Sequence, residues 1–321
     1  MTAGPPLATD RRTTVTVGTF DGVHRGHQAV LDEIVARARA AGRAAVLVTF
    51  EPHPLRVVAP ERAPCLLTTA EEKRLLWPLF GLDYVDVLPF TESLRRLTPE
   101  AFVRRVLIER WRVGELVIGY DHGFGRDRSG DVETLARIGA AEGFAVDVVG
   151  PVAPDDGGAP ISSSAVRRSV AAADFAAAER GLGRPYAALG QVVPGAGRGR
   201  SIGFPTANLE LPDATKCLPP AGVYAVRVEL EGETWDGMAN LGARPTFEEA
   251  TPRLEVHLLD WGGEPLYGAR PSVAFTARLR DVRRFADGRQ LAEQLARDRA
   301  AAKAALGARS QVSSPGVART G

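Results

Sequence analysis

From Thr13 to about Gly183 the sequence alternates short apolar runs with longer amphipathic stretches, and beyond Gly183 the alternation stops. Five runs are apolar enough to be buried strands: Val15 to Val17, Ala45 to Val48, Tyr84 to Leu88, Leu116 to Ile118 and Val146 to Val149. Between the first two, residues 27–41 place Val30, Ile34 and Ala38 on one side with Leu31 and Val35 beside them, and leave Arg37 and Arg39 outside that stripe. Thr98-Pro99-Glu100 opens another helix, with a hydroxyl at the cap, proline in the first position and an acid in the first turn. Short buried strands separated by helices predict an α/β fold with a parallel sheet covered on both faces. Ligands of such sheets bind beyond the carboxyl ends of the strands.

Residues 186–280 read differently. Gly222 to Leu230, Glu233 to Leu241, Leu254 to Leu259 and Pro271 to Leu279 are β-like segments broken by glycine and proline, which predicts an antiparallel barrel or sandwich. One helix, Asp287 to Leu306, follows, and the polar end of the chain reads as a disordered tail. The 321 residues therefore divide into domains at 1–183 and 184–307 with a tail at 308–321.

Forty basic and thirty-nine acidic side chains leave a formal charge of +1, which gives no whole-molecule attraction to nucleic acid or to an anionic membrane. Almost all the cations are arginine, so phosphate contacts are expected from guanidinium forks. Cys65 and Cys217 lack metal-ligand spacing and read as two reduced thiols. With no signal-like or membrane-length apolar run, the expectation is a cytoplasmic protein, monomeric or weakly self-associating, whose partners are small molecules.

Two strings carry chemistry. In the first, Gly18 ends the opening strand and Thr19-Phe20-Asp21-Gly22-Val23-His24-Arg25-Gly26-His27 leads into a helix. Glycines let the backbone approach a ligand, and a helix N-terminus gathers free N–H donors suited to phosphate. His24 and His27 add donors that follow negative charge as it builds. Further on, Ser162, Ser163 and Ser164 open a predicted helix with Arg167 one turn later, a second place for phosphate oxygens. In the other string, Gly195 to Asn208, no Lys-Ser or Lys-Thr follows the glycines, which excludes a Walker A loop. A flap with Gly199, Arg200 and Gly203 still covers phosphates through backbone N–H groups and charge. Thr206 and Asn208 leave one face of an extended segment, and their neutral oxygens suit magnesium.

The string GTFDGVHRGH, with TFEPHP, LPFTESLRRLTPEAFV, GYDHGFGRDRSGD and ISSSAVRRSV, resembles the adenylyltransferase module of bacterial bifunctional riboflavin kinase/FAD synthetases. GFPTAN, PPAGVYAV, MANLGARPTF and LEVHLLDW resemble the flavokinase module of the same family. The resemblance spans residues 13–306 and implies a Rossmann-like nucleotidylyltransferase domain followed by a flavokinase β-barrel with a terminal helix. It implies riboflavin, FMN and ATP as substrates, with magnesium. His24 and His27 would face the ATP phosphates with Gly18, Phe20, Asp21, Gly22 and Gly26 around them. Glu255 would be the general base of the kinase, and Asp121, Phe124, Asn240 and Arg244 would lie near flavin. Asp121-His122-Gly123-Phe124-Gly125 departs from the family pattern at 122–123. That departure keeps open a kinase with an impaired adenylyltransferase half, and a non-catalytic flavin or nucleotide sensor is the other alternative.

Overall fold

The computed structural model describes residues 12–120, 131–153, 157–195, 199, 202–242, 254–262 and 265–310. The chain divides into two compact units, Met1–Ala165 and Val166–Gly321.

In the first unit, β1 (Thr13–Val17), β2 (Ala44–Glu51), β3 (Tyr84–Pro89), β4 (Val113–Gly119) and β5 (Ala145–Val149) form one sheet in the order β3-β2-β1-β4-β5. Every pairing is parallel. The chain builds outward from β1 to β3, then returns to lay β4 against the other side of β1. The carboxyl ends of β1 and β4 thus flank the point where strand order reverses, the usual place for a ligand crevice.

Both faces of the sheet are buried, as the uninterrupted apolar runs require. Val15, Val17, Val46 and Val48 pack on one side with Leu116, Ile118, Phe102, Val103 and Leu107. Ala45, Leu47 and Val117 face the other way, onto Val30, Leu31, Ile34, Val35 and Ala38 of α1 (Arg25–Ala40). Leu31 and Ile34 are fully buried, each contributing roughly 1.5–3 kcal/mol against exposure. The crossovers and edges hold α2 (Pro54–Val58), α3 (Ala70–Leu76), α4 (Glu92–Arg95), α5 (Pro99–Phe102) and α6 (Val132–Glu142). The helix expected from Thr98 is capped by that threonine, but after α5 it widens into a π-helical stretch, Val103–Arg110. There Arg110 and the Trp111 indole both donate to the buried Asp86 carboxylate, at 2.6 Å each for Arg110 Nε and Trp111 Nε1.

The helix α7 (Ser163–Ala171) begins in the first unit and ends in the second, and is followed by α8 (Phe175–Leu182). Among the described residues the second unit carries seven strands: β6 (Ala187–Leu189), β7 (Gln191–Val193), β8 (Ala207–Glu210), β9 (Gly222–Leu230), β10 (Glu233–Leu241), β11 (Leu254–Leu258) and β12 (Ser272–Arg280). They form a curled antiparallel sheet in the order β6-β12-β9-β10-β11-β8-β7. On one face Phe175 of α8 stacks on Phe275, and Tyr224 meets both edge-on. On the other, Ala225, Met238, Ala277 and Leu279 pack against Ala302 and Leu306 of α9 (Gly288–Ser310). A buried Arg280–Asp298 pair, 2.7 Å between Arg280 Nη2 and Asp298 Oδ2, fixes α9 to β12.

The reduced-thiol expectation is not met, because neither Cys65 nor Cys217 is a free thiol. Among the described residues no helix is long and apolar enough to cross a membrane.

Candidate functional site

The loop leaving β1 is held in a conformation that costs energy. Phe20, Gly22 and Val23 have φ of 47°, 86° and 41°. A left-handed β-branched residue such as Val23 is a strained backbone position, maintained only where its surroundings over-determine it. Here they do. The buried Asp21 carboxylate accepts from the Leu67 N–H at 3.2 Å and the Thr68 N–H at 3.0 Å. The Gly22 N–H donates to the Thr68 hydroxyl at 2.9 Å, and Ser163 Oγ donates to the Asp21 carbonyl at 2.8 Å. Phe20 is buried between Trp77 and the His27 ring. Phe20 and Asp21 therefore turn their side chains into the protein and hold the loop from beneath.

His24 caps α1, and its Nδ1 accepts the His27 backbone N–H at 3.3 Å. A neutral His24 therefore carries its proton on Nε2. The His24 and His27 rings stack with centroids 3.6 Å apart and an interplanar angle of 18°. Burial, more than the neighbouring His24 and Lys73 charges, holds the His27 pKa well below the ordinary histidine range. His27 Nδ1 is buried and finds no hydrogen-bond partner among the described residues. Gly26 lies close to the His24 ring and the Ile161 carbonyl: a Cβ there would come within 3.2 Å and 3.6 Å of them. The serine run divides its work. Ser162 caps α7 by accepting the Ala165 N–H, Ser163 ties to Asp21, and Ser164 is exposed. Arg167 is half-buried on α7 in the second unit.

In the second unit three strands set side chains in one row. Asn240 of β10 is the register partner of Glu255 on β11, and Glu255 is the partner of Asn208 on β8. Directly opposed residues in antiparallel strands share a face, with Cα atoms roughly 4.5–5.5 Å apart. Leu254, Val256 and Leu258 are buried on the opposite face, so Glu255 is presented half-exposed beside Asn208. Ahead of β8, the Phe204 N–H donates to the Gly199 carbonyl at 2.8 Å and closes the flap. A Cβ at Gly199 would lie 2.1 Å from the Phe204 carbonyl oxygen, so only glycine fits that turn. Thr206 follows and is exposed. Asp121, Phe124, Arg200 and Arg244 lie outside the described residues.

Comparison with known proteins matches both halves of the chain in order. Residues 7–165 match the FAD synthetase family and residues 182–306 the riboflavin kinase family. The bifunctional riboflavin kinase/FMN adenylyltransferase of Pseudomonas fluorescens is 42% identical over 295 residues, covering 92% of this chain and 93% of that protein. The chain belongs to the bifunctional riboflavin kinase/FMN adenylyltransferase family. The Escherichia coli K12 member is 40% identical, over 91% of this chain and 92% of its own length. The Bacillus subtilis member is 34% identical, over 90% of each. A solved structure named as a macrolide-efflux protein from Streptococcus pneumoniae has the same fold, with a TM-score of 0.81 at 30% identity, covering 94% of this chain and 96% of that one.

Three supports of these two arrangements escaped the sequence reading. The segment Leu66 to Lys73 clamps the strained loop, and its only outward signal is the capping box of Thr69 and Glu72. Gly195 backs directly onto the Asn208 side chain, where a Cβ would fall 1.9 Å from Asn208 Nδ2. His257 makes a 2.7 Å hydrogen bond from Nδ1 to the Pro205 carbonyl, with Phe204 edge-on to its ring. A carbonyl only accepts, so His257 carries its proton on Nδ1.

Proposed function

We propose that this chain makes FAD from riboflavin in two steps: ATP phosphorylates riboflavin to FMN and leaves as ADP, then a second ATP adenylylates FMN and releases pyrophosphate. The observation that carries this reading is the ordered match of both halves to the two enzyme families, over nine-tenths of the chain.

In the kinase step the ribityl 5′-hydroxyl oxygen attacks the γ-phosphorus, the bond to the β-phosphate bridge breaks, and the hydroxyl proton passes to the Glu255 carboxylate. Glu255 suits this role because the strand register sets it beside Asn208, one of the two residues assigned to magnesium. Thr206 and Asn208 present neutral oxygens next to a carboxylate, a donor set that fits magnesium. When bound, that ion would offset charge on the phosphate oxygens. Asn240, in the same row, and Arg244 are assigned to flavin contact. Gly199, Arg200 and Gly203 are assigned to the phosphates of ATP.

In the adenylyl step an FMN phosphate oxygen attacks the α-phosphorus in line, and the bond to pyrophosphate breaks. The nucleophile is already an anion at neutral pH, so no base is required and catalysis rests on positioning and charge. His24 and His27 supply donors at the start of α1, and Gly18, Gly22 and Gly26 are assigned to letting the backbone approach the phosphates there. His27 Nδ1, without a hydrogen-bond partner among the described residues, is assigned a partner in substrate. A phosphate close to His27 favours its protonated form, which strengthens the contact as charge builds. Phe20 and Asp21 shape the loop. Ser162, Ser163, Ser164 and Arg167 are assigned to departing phosphate oxygens, and Asp121 and Phe124 to flavin.

We propose further that the seven-stranded sheet closes as a barrel. Its two edge strands, β6 and β7, are separated in sequence only by Gly190, which would make one strand bent across the seam. The boundary between the catalytic modules is proposed at 183/184. Purified protein incubated with riboflavin, ATP and magnesium should yield both FMN and FAD by chromatography, and FMN without FAD would restrict the function to the kinase.

A further inference from the structure

Lys73 is a buried cation that the two-step chemistry above does not use. It is the one buried residue of α3, on a helix whose flanking Glu71, Glu72 and Arg74 reach the surface to varying degrees. Its Nζ donates to the Thr19 carbonyl at 2.8 Å, and Thr49 Oγ1 approaches the same oxygen at 3.4 Å. Thr19 opens the strained loop, immediately before left-handed Phe20. A buried ammonium needs compensation. It comes from Asp21 in the loop and Glu51 at the end of β2.

We propose that Lys73 is a positioning residue of the adenylyl-transfer site, anchoring the Thr19 carbonyl so that the loop delivers His24 and His27 to the phosphates. The inference rests on the adenylyltransferase reading. Lys73 arrives with the same segment that supplies Leu67 N–H, Thr68 N–H and Thr68 Oγ1 to the loop, so one clamp grips Thr19, Asp21 and Gly22 together. The groups whose charge bears on His27 are His24 on α1 and Lys73 on α3, both of which disfavour its protonation. Asp21 and Glu51 act on Lys73 in the opposite sense. A lysine that only fills space would leave His27 chemistry unchanged when replaced.

The test uses the full chain with Lys73→Met and Lys73→Arg, each assayed for FAD from FMN and for FMN from riboflavin. Loosening the loop by about 1 Å should lower kcat/KM for FAD formation about a hundredfold in Lys73→Met. FMN formation should be unchanged, and Lys73→Arg should recover part of the loss. Removing a positive charge near His27 should also move its ring titration, followed by NMR, to higher pH. Wild-type FAD formation in Lys73→Met, or a loss with the His27 titration unmoved, overturns the proposal. If Lys73→Met does not fold, Lys73→Arg decides: retained FAD formation supports the anchoring role, and loss equal to that of His27→Ala overturns it. Absence of FAD formation by the wild-type chain would instead refute the adenylyltransferase reading.

Discussion

Adding one methyl group at Gly195 should disable the kinase without unfolding it. A Cβ there would stand 1.9 Å from Asn208 Nδ2 and 2.4 Å from Asn208 Cγ, whereas non-bonded atoms rest near 3.5 Å. The overlap is therefore about 1.5 Å. Gly195 is exposed and free of left-handed strain, and the obstructing atoms are the end of a side chain. The cheap response is for the Asn208 amide to swing away. Stability should change by no more than about 0.5 kcal/mol, as for an ordinary surface substitution. The catalytic cost is larger, because a misplacement of about 1 Å in a positioning group costs about a hundredfold. Gly195→Ala should thus lower kcat/KM for FMN formation about a hundredfold, with FAD formation from FMN unaltered. The assay is initial rates of both products on one preparation. Wild-type kinase rates would refute the claim that Asn208 must occupy the place the structure gives it.

Other expectations follow from single contacts. His257→Phe keeps the ring and removes the hydrogen bond to Pro205, so FMN formation should fall by up to about tenfold, the equivalent of one hydrogen bond of about 1.4 kcal/mol. Asp298→Ala leaves Arg280 buried without its carboxylate and should cost about 3–5 kcal/mol in urea unfolding followed by fluorescence. His27 has a folded-state pKa below its unfolded value of about 6.5, so below that pH the unfolded chain binds a proton the folded chain refuses. Stability should therefore drop as pH falls below about 6.5, and His27→Gln should flatten that slope in denaturation midpoints measured across the range.

Much of the first unit was legible because strand burial leaves a direct mark. All five parallel strands lie on the apolar runs, and the α1 stripe of Val30, Leu31, Ile34, Val35 and Ala38 is the buried set. In the second unit the four long strands were readable, whereas β6 and β7, three residues each around Gly190, are too short to show a period. The pairing of Glu255 with Asn208 was not readable from spacing, because register between distant strands is set by the sheet. The clamp from residues 66–73 was missed for a related reason. Two of its contacts are backbone N–H groups, those of Leu67 and Thr68, and any residue type supplies those. Lys73 does not stand out in the sequence, which does not display the Thr19 carbonyl that receives it. The helix from Thr98 was correctly started, but nothing in its composition announces the π-helical stretch Val103–Arg110.

The division of labour between the two units is tested most directly by a reciprocal product analysis. Glu255→Gln and His27→Ala are each incubated with riboflavin and ATP, then with FMN and ATP, and the flavins are separated by chromatography. Glu255→Gln should convert FMN to FAD but make no FMN from riboflavin, and His27→Ala should make FMN and stop there. Loss of both products from either single substitution, or loss of neither, would contradict two independent phosphorus-transfer sites on this chain.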